Sequence, residues 1–131
     1  TTVIGRTIYL PSRWGAMRDI DRVIVLRHEA VHLRQFARYG IVGMSLVYLF
    51  PILPAGLSIG RALIEWEAYR ETLRATAELV GIEAAADPAL EAHIVAQFTT
   101  AAYAFMWPFP GHVRRLIRRE VEQLGREATR A

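Results

Sequence analysis

Arg18-Asp-Ile-Asp-Arg-Val-Ile-Val-Leu-Arg-His28-Glu-Ala-Val-His32-Leu-Arg-Gln-Phe-Ala-Arg-Tyr39-Gly40 is the stretch on which the fold turns. From Arg18 to Tyr39 it contains neither Gly nor Pro and carries apolar residues at helical spacing, and Gly40 follows as a C-terminal stop. At about 100° per residue, Val25, His28, His32, Phe36 and Tyr39 fall on one stripe, with Gln35 beside it. The spacing predicts a helix that carries two histidines on a largely apolar face.

Two histidines four residues apart can both reach one metal ion, and Glu29, next to the first, can address a water on that ion. The plainer alternative is two core or surface histidines at a chance spacing. A catalytic site of this kind needs a third protein ligand and leaves one position for water. Arg38 stands where the metzincin pattern wants a third His, so that pattern is absent. His93 and His112 are distant candidates. Better ones lie in Glu65-Trp66-Glu67-Ala68-Tyr69 on the following helix. On a helical wheel Glu67 shares a charged arc with Arg70, Glu71, Arg74 and Glu78, as a solvated face does. Glu65 lies among Ala62, Ala68, Tyr69, Thr72, Thr76 and Leu79. A carboxylate on such a face is costly unless paired or bound to a cation. A metal ion explains Glu65; a salt bridge to Arg27 or Arg34 is the competing explanation.

His28-Glu29-x-x-His32 followed by Glu65-x-x-Ala68 on a later helix resembles the gluzincin branch of the zinc metallopeptidases, and the small size resembles the single-domain minigluzincins. The likeness covers roughly residues 1–80. It implies a compact zincin-like domain, zinc held by His28, His32 and Glu65, and Glu29 as general base. It also implies hydrolysis of peptide or protein substrates, with Glu29 taking a proton from water and passing it to the leaving amine. Tyr69 departs from the pattern, because many relatives have there an Asp that supports a ligating His through its second ring nitrogen. That support must come from elsewhere or be weaker. His112, Tyr103 and Tyr69 are candidate oxyanion donors by residue type, with core packing as the other reading for Tyr103. Substrates of zincins often lie as an added strand on a sheet edge, for which Thr7, Ile8, Tyr9 and Leu10 are the candidates.

Around these two helices the rest of the chain reads as a mainly α (α+β) single domain, residues 1–131. Residues 2–10 are β-branched and aromatic, with Gly5-Arg6 as a tight turn, and predict one strand or a small hairpin ending at Pro11. A short apolar helix is expected near 43–50. Ser58 caps a helix running to Val80, before Gly81. Asp87-Pro88 starts another that runs to about Phe98, and a last helix is expected near 111–127, with Val113, Leu116, Ile117, Val121 and Leu124 on its apolar side. Two or three C-terminal helices thus complete the domain.

No charged residue occurs between Arg38 and Arg61. Pro51, Pro54 and several glycines interrupt this stretch, and a single crossing of a bilayer would put helix one and Glu65 on opposite sides. It is also too short for two crossings at about 20 residues each. A buried or groove-exposed apolar segment is therefore expected, and residues 40–57 are a candidate contact for a membrane surface or a hydrophobic partner.

The 131 residues fit one domain, and the 53% hydrophobic content argues against disorder. There is no cysteine, so any metal is held by His and carboxylate, not thiolate. Zinc is the expected ion; iron, manganese or nickel suit the same donors. The net charge of +3 and the pI near 9.8 suggest a nucleic-acid binder at first. All sixteen basic residues are Arg, however, as a GC-rich coding bias produces, and no face combines them with stacking aromatics. Nucleic acid is not an expected partner. The chain opens on Thr1-Thr2 and carries no reading of targeting signals; a cytoplasmic or membrane-peripheral location is the expectation. Two other functions compete with the peptidase: a catalytically silent module in which the metal staples the fold, and a membrane-associated regulator. Glu29 favours catalysis, because a purely structural site needs the ligands but not the base.

Overall fold

The computed structural model describes residues 1–49, 59–100 and 107–130, apart from the side chains of 48 and 49. The β-branched N-terminus forms a hairpin. Strand β1 (Thr2–Ile4) pairs antiparallel with β2 (Thr7–Tyr9) in the register Thr2 to Tyr9, Val3 to Ile8 and Ile4 to Thr7. A 3₁₀ turn over Ser12–Ala16 follows. Arg22 fastens it to the next helix by donating to the carbonyls of Trp14 (3.1 Å) and Gly15 (2.9 Å).

Helix α1 spans Asp19–Leu49 and begins with Asp19 and Asp21 in its first turn, where carboxylates meet the positive end of the helix dipole. Gly40 interrupts it with φ 67° and ψ 173°. The stop expected at Gly40 and the short helix expected after it are thus two segments joined at this residue. Helix α2, Ile59–Leu79, returns alongside. Its start is tightly apposed to the second segment of α1, since a Cβ on Gly60 would lie 2.9 Å from Val47 Cγ1. The α2 chain ends at Gly81 (φ 124°), with the N–H groups of Val80 and Gly81 both donating to the Thr76 carbonyl. Ser58, the expected cap of α2, lies outside the described residues.

A one-turn helix, α3 (Ile82–Ala85), occupies a stretch that reads only as a connection in the sequence. Helix α4 (Pro88–Thr99) starts as expected: Asp87 accepts from the Ala89 N–H at 2.7 Å and Pro88 takes a first-turn position. Helix α5, Pro110–Arg130, runs a little beyond both expected ends.

The main buried cluster is drawn from α2, α4 and α5. Ala62, Leu73, Ile94, Val95, Phe98, Val113, Ile117 and Leu124 form it, with Trp66, Tyr69 and Trp107 against its edge. On α5, Val113, Ile117 and Leu124 face this core while Arg114 and Arg118 stay outside and reach Glu91. A buried Glu120 joins α5 to α2 by accepting from Arg70 at 2.8 Å. The architecture is mainly helical with one short hairpin. Among the described residues, no helix is long and apolar enough to cross a membrane.

Candidate metal centre

The α1 stripe and the Glu65 face of α2 meet. His28, His32 and Glu65 each offer a ligand atom, and these atoms all lie within 4.8 Å of one another. His32 Nε2 is 3.6 Å from a Glu65 oxygen. Ligands on a tetrahedral zinc at bonds near 2.0–2.1 Å stand about 3.3 Å apart, so small side-chain movements close the set around an ion.

The ring orientations are set by partners on both helices. His32 Nδ1 is 2.9 Å from Gln35 Oε1. The Gln35 amide nitrogen donates to the Ile64 carbonyl (3.1 Å) and to Glu67 (2.8 Å). Its two protons are thereby committed, so its oxygen accepts and His32 Nδ1 carries the proton. His28 Nδ1 is 2.9 Å from Thr72 Oγ1, which itself faces the Ala68 carbonyl at 3.3 Å. The single hydroxyl proton goes to that carbonyl, so His28 Nδ1 is again the donor. In its neutral form each ring therefore holds Nε2 as the lone-pair nitrogen, the arrangement a ligating histidine needs.

The two imidazoles differ electrostatically. Burial pushes the His28 pKa down to about 4, with His32 beside it acting in the same direction. For His32, burial also acts downward and is the largest single influence. The Glu65 carboxylate, with help from Gln35 and Glu29, outweighs it and raises the pKa. His28 is thus neutral near neutrality, whereas the Glu65 carboxylate favours the protonated form of His32.

A cleft of about 800 Å³ is lined by His28, His32, Glu65 and Glu29. Glu29 is 5% exposed, one residue from His28 and facing the same space. Tyr69 lines the cleft and sets its ring edge-on to His28, with centroids 4.9 Å apart. It also touches Phe98, at 5.7 Å, and so connects the site to the core. His93, considered above only as a distant ligand, reaches the cleft wall from α4.

Other expected site residues fall elsewhere. His112 is exposed on α5 against Trp107 and does not line the cleft. Tyr103 lies outside the described residues. Thr7, Ile8, Tyr9 and Leu10 do not line the cleft either; Thr2 and Val3 of the pairing strand β1 do. The strand that borders the cleft is thus β1. Arg27 pairs with Glu71 at 2.6 Å and with Glu78, so it is not the cation for Glu65. Glu67, read as a solvated side chain, is exposed yet anchors Gln35.

Two functional partners were not singled out from the sequence. In the sequence Gln35 stands only beside the stripe, and Thr72 only among the neighbours of Glu65 on the helical wheel. The signal available was that each lies on the ligand-bearing face of its helix. Together they contact the Nδ1 atoms of both histidines, a contact that Tyr69 does not supply. No family model, curated protein or solved structure matches this chain.

Proposed function

We propose that this chain is a zinc-dependent metallopeptidase of the gluzincin type, with His28, His32 and Glu65 as ligands and Glu29 as general base. The observation that carries the reading is the convergence of two imidazoles and the Glu65 carboxylate beside a second, buried carboxylate, Glu29, all in one open cleft. Zinc bound there supplies a Lewis acid and brings the pKa of water towards neutrality. Glu29 accepts the proton of the attacking water and returns it to the leaving amine. Gln35 and Thr72 keep both histidines oriented through that exchange, and Tyr69 and Thr2-Val3 bound the space a peptide enters. Glu29 separates this reading from a metal that only staples two helices, because stapling has no use for a buried base.

Metal analysis of the purified and zinc-reconstituted protein tests the ligands. Wild type should carry about one ion per chain, and His28→Ala and Glu65→Ala should carry far less. Glu29→Gln should retain the ion while cleavage of unfolded protein or peptide libraries falls by about 10²–10⁴-fold. Metal-free wild type would end the proposal, and undiminished cleavage by Glu29→Gln would remove the mechanism.

A further inference from the structure

The thirteen carboxylate side chains are unevenly distributed along the chain. None occurs in residues 1–18 and none in residues 30–64, whereas Arg6, Arg13, Arg18, Arg34, Arg38 and Arg61 do. These two acid-free segments meet in space: the turn at Gly5 sits against the second segment of α1, where a Cβ on Gly5 would lie 3.7 Å from Ile41 Cδ1.

The same region exposes large aliphatic side chains. Ile4 is 57% exposed, Ile41 59%, Val42 69% and Leu46 52%. Helical phase explains why the second α1 segment turns them outward. Val42 and Leu46, four apart, share a face, while Met44 between them points the opposite way, is 1% exposed and lines the cleft. Gly60 holds this segment close to α2 through Val47. The apolar face is thus presented by packed structure; Arg6 follows Gly5 at its contact with Ile41, and Arg34 and Arg38 lie on the stretch of α1 that leads into it. These three are exposed and have no carboxylate ion pair among the described residues.

We infer that this face docks on an anionic lipid surface, with Ile4, Ile41, Val42 and Leu46 entering the interface and Arg6, Arg34 and Arg38 meeting the headgroups. Apolar burial combined with cationic residues at its margin is the chemistry of reversible membrane-surface binding. A second copy of the chain is the wrong occupant, since symmetric pairing of this face sets arginine against arginine with no carboxylate to offset them. The inference does not depend on the peptidase reading.

Flotation of the full chain tests it, with vesicles of phosphatidylcholine alone and vesicles containing about one-third phosphatidylglycerol. The protein should float with the anionic vesicles, float far less with the neutral ones, and be released by salt. Removing Arg6 and Arg38 together as Ala should weaken binding by about fivefold per residue. Val42→Asp with Leu46→Asp should abolish it, while circular dichroism and the unfolding midpoint remain near wild type because both side chains are solvent-facing. A wild type that stays with buffer overturns the inference. So does binding unchanged by both variants but lost on removing the α5 arginines, and so does self-association through this face without vesicle binding.

Discussion

Gln35 and Thr72 are the residues on which the proposed metal site most depends after its ligands. Each accepts from a histidine Nδ1 and has already committed its own protons to main-chain or carboxylate oxygens. Thr72→Val and Gln35→Leu remove those acceptors without touching a ligand. Each should weaken zinc affinity by about 10–100-fold in competition with a chromogenic chelator; affinities equal to wild type would show that the rings are held by packing alone. The histidine pKa values give a second expectation. With the His28 pKa lowered to about 4, the unfolded chain takes up its proton as pH falls through about 6.5 and the folded chain does not, so stability is lost between those values. His32 is raised, so its stabilisation is complete below about 6.5 and is lost as pH rises through its folded value. Zinc uptake near pH 6.5 should then displace protons from His32 and none from His28, so fewer than two per ion. Calorimetry in buffers of different ionisation enthalpy measures this number, and release of two protons contradicts the assignment. The grouping of His28, His32 and Glu65 was legible in the sequence because helical phase brings His28 and His32 onto one face and sets Glu65 apart from the charged arc of its helix. Their Nδ1 partner across the helix pair was not, because the contact of His28 with Thr72 depends on how α1 and α2 rotate against each other, which no local pattern encodes.

At the scale of elements, Gly40 and Gly60 allow two kinds of glycine to be separated. Gly40 sits at φ 67° and a Cβ there would meet nothing within 4 Å, so the penalty of a side chain is one of backbone alone. Gly60 has no such φ, but its Cβ would collide with Val47. Gly40→Ala should cost about 1–2 kcal/mol in urea unfolding and should not respond to changes elsewhere. Gly60→Ala should cost about 1–3 kcal/mol and be partly restored by Val47→Ala, a non-additive pair. Independent, additive effects at 47 and 60 would remove the claim of close helix contact. The helix boundaries were readable because they rest on such local signals: Asp87-Pro88 at the start of α4, and Gly40 and Gly81 at positive φ. Helix α3 was not readable, since four residues are too few to establish a periodicity. The orientation of the hairpin was not readable either. Alternation shows that residues 2–10 form strands, but which strand faces the cleft depends on where the hairpin lands on α1.

The molecule as a whole divides its stabilising interactions between two kinds of interface. Helices α2, α4 and α5 share the apolar cluster centred on Leu73, Ile94 and Ile117; among the described residues α1 adds none to it, and its own buried Val31 and Met44 lie apart from that cluster. Across to α2, the first segment of α1 buries one large aliphatic side chain, Val31, and is otherwise joined largely by polar links: Arg27 to Glu71 and Glu78, His28 to Thr72, His32 to Glu65, and Gln35 to Ile64 and Glu67. Polar contacts of this type contribute less, net of desolvation, than equal areas of apolar burial. In metal-free protein, α1 should therefore open more readily than the α2–α4–α5 unit. An ion bound by two α1 histidines and one α2 glutamate adds its binding energy to that weaker interface. Ligand at 1,000 times its dissociation constant contributes about 4.1 kcal/mol to the state that binds it. Hydrogen exchange with and without zinc should accordingly show slowing concentrated in α1 and the facing part of α2, with little change in α5. Lowering the pH should reverse the slowing, because His32 then regains the proton that zinc displaced. His28→Ala should exchange at the metal-free rate whether or not zinc is added. Uniform slowing across all helices would mean that α1 and the core open as one unit, and that the metal stabilises the whole fold instead of fastening one helix to it.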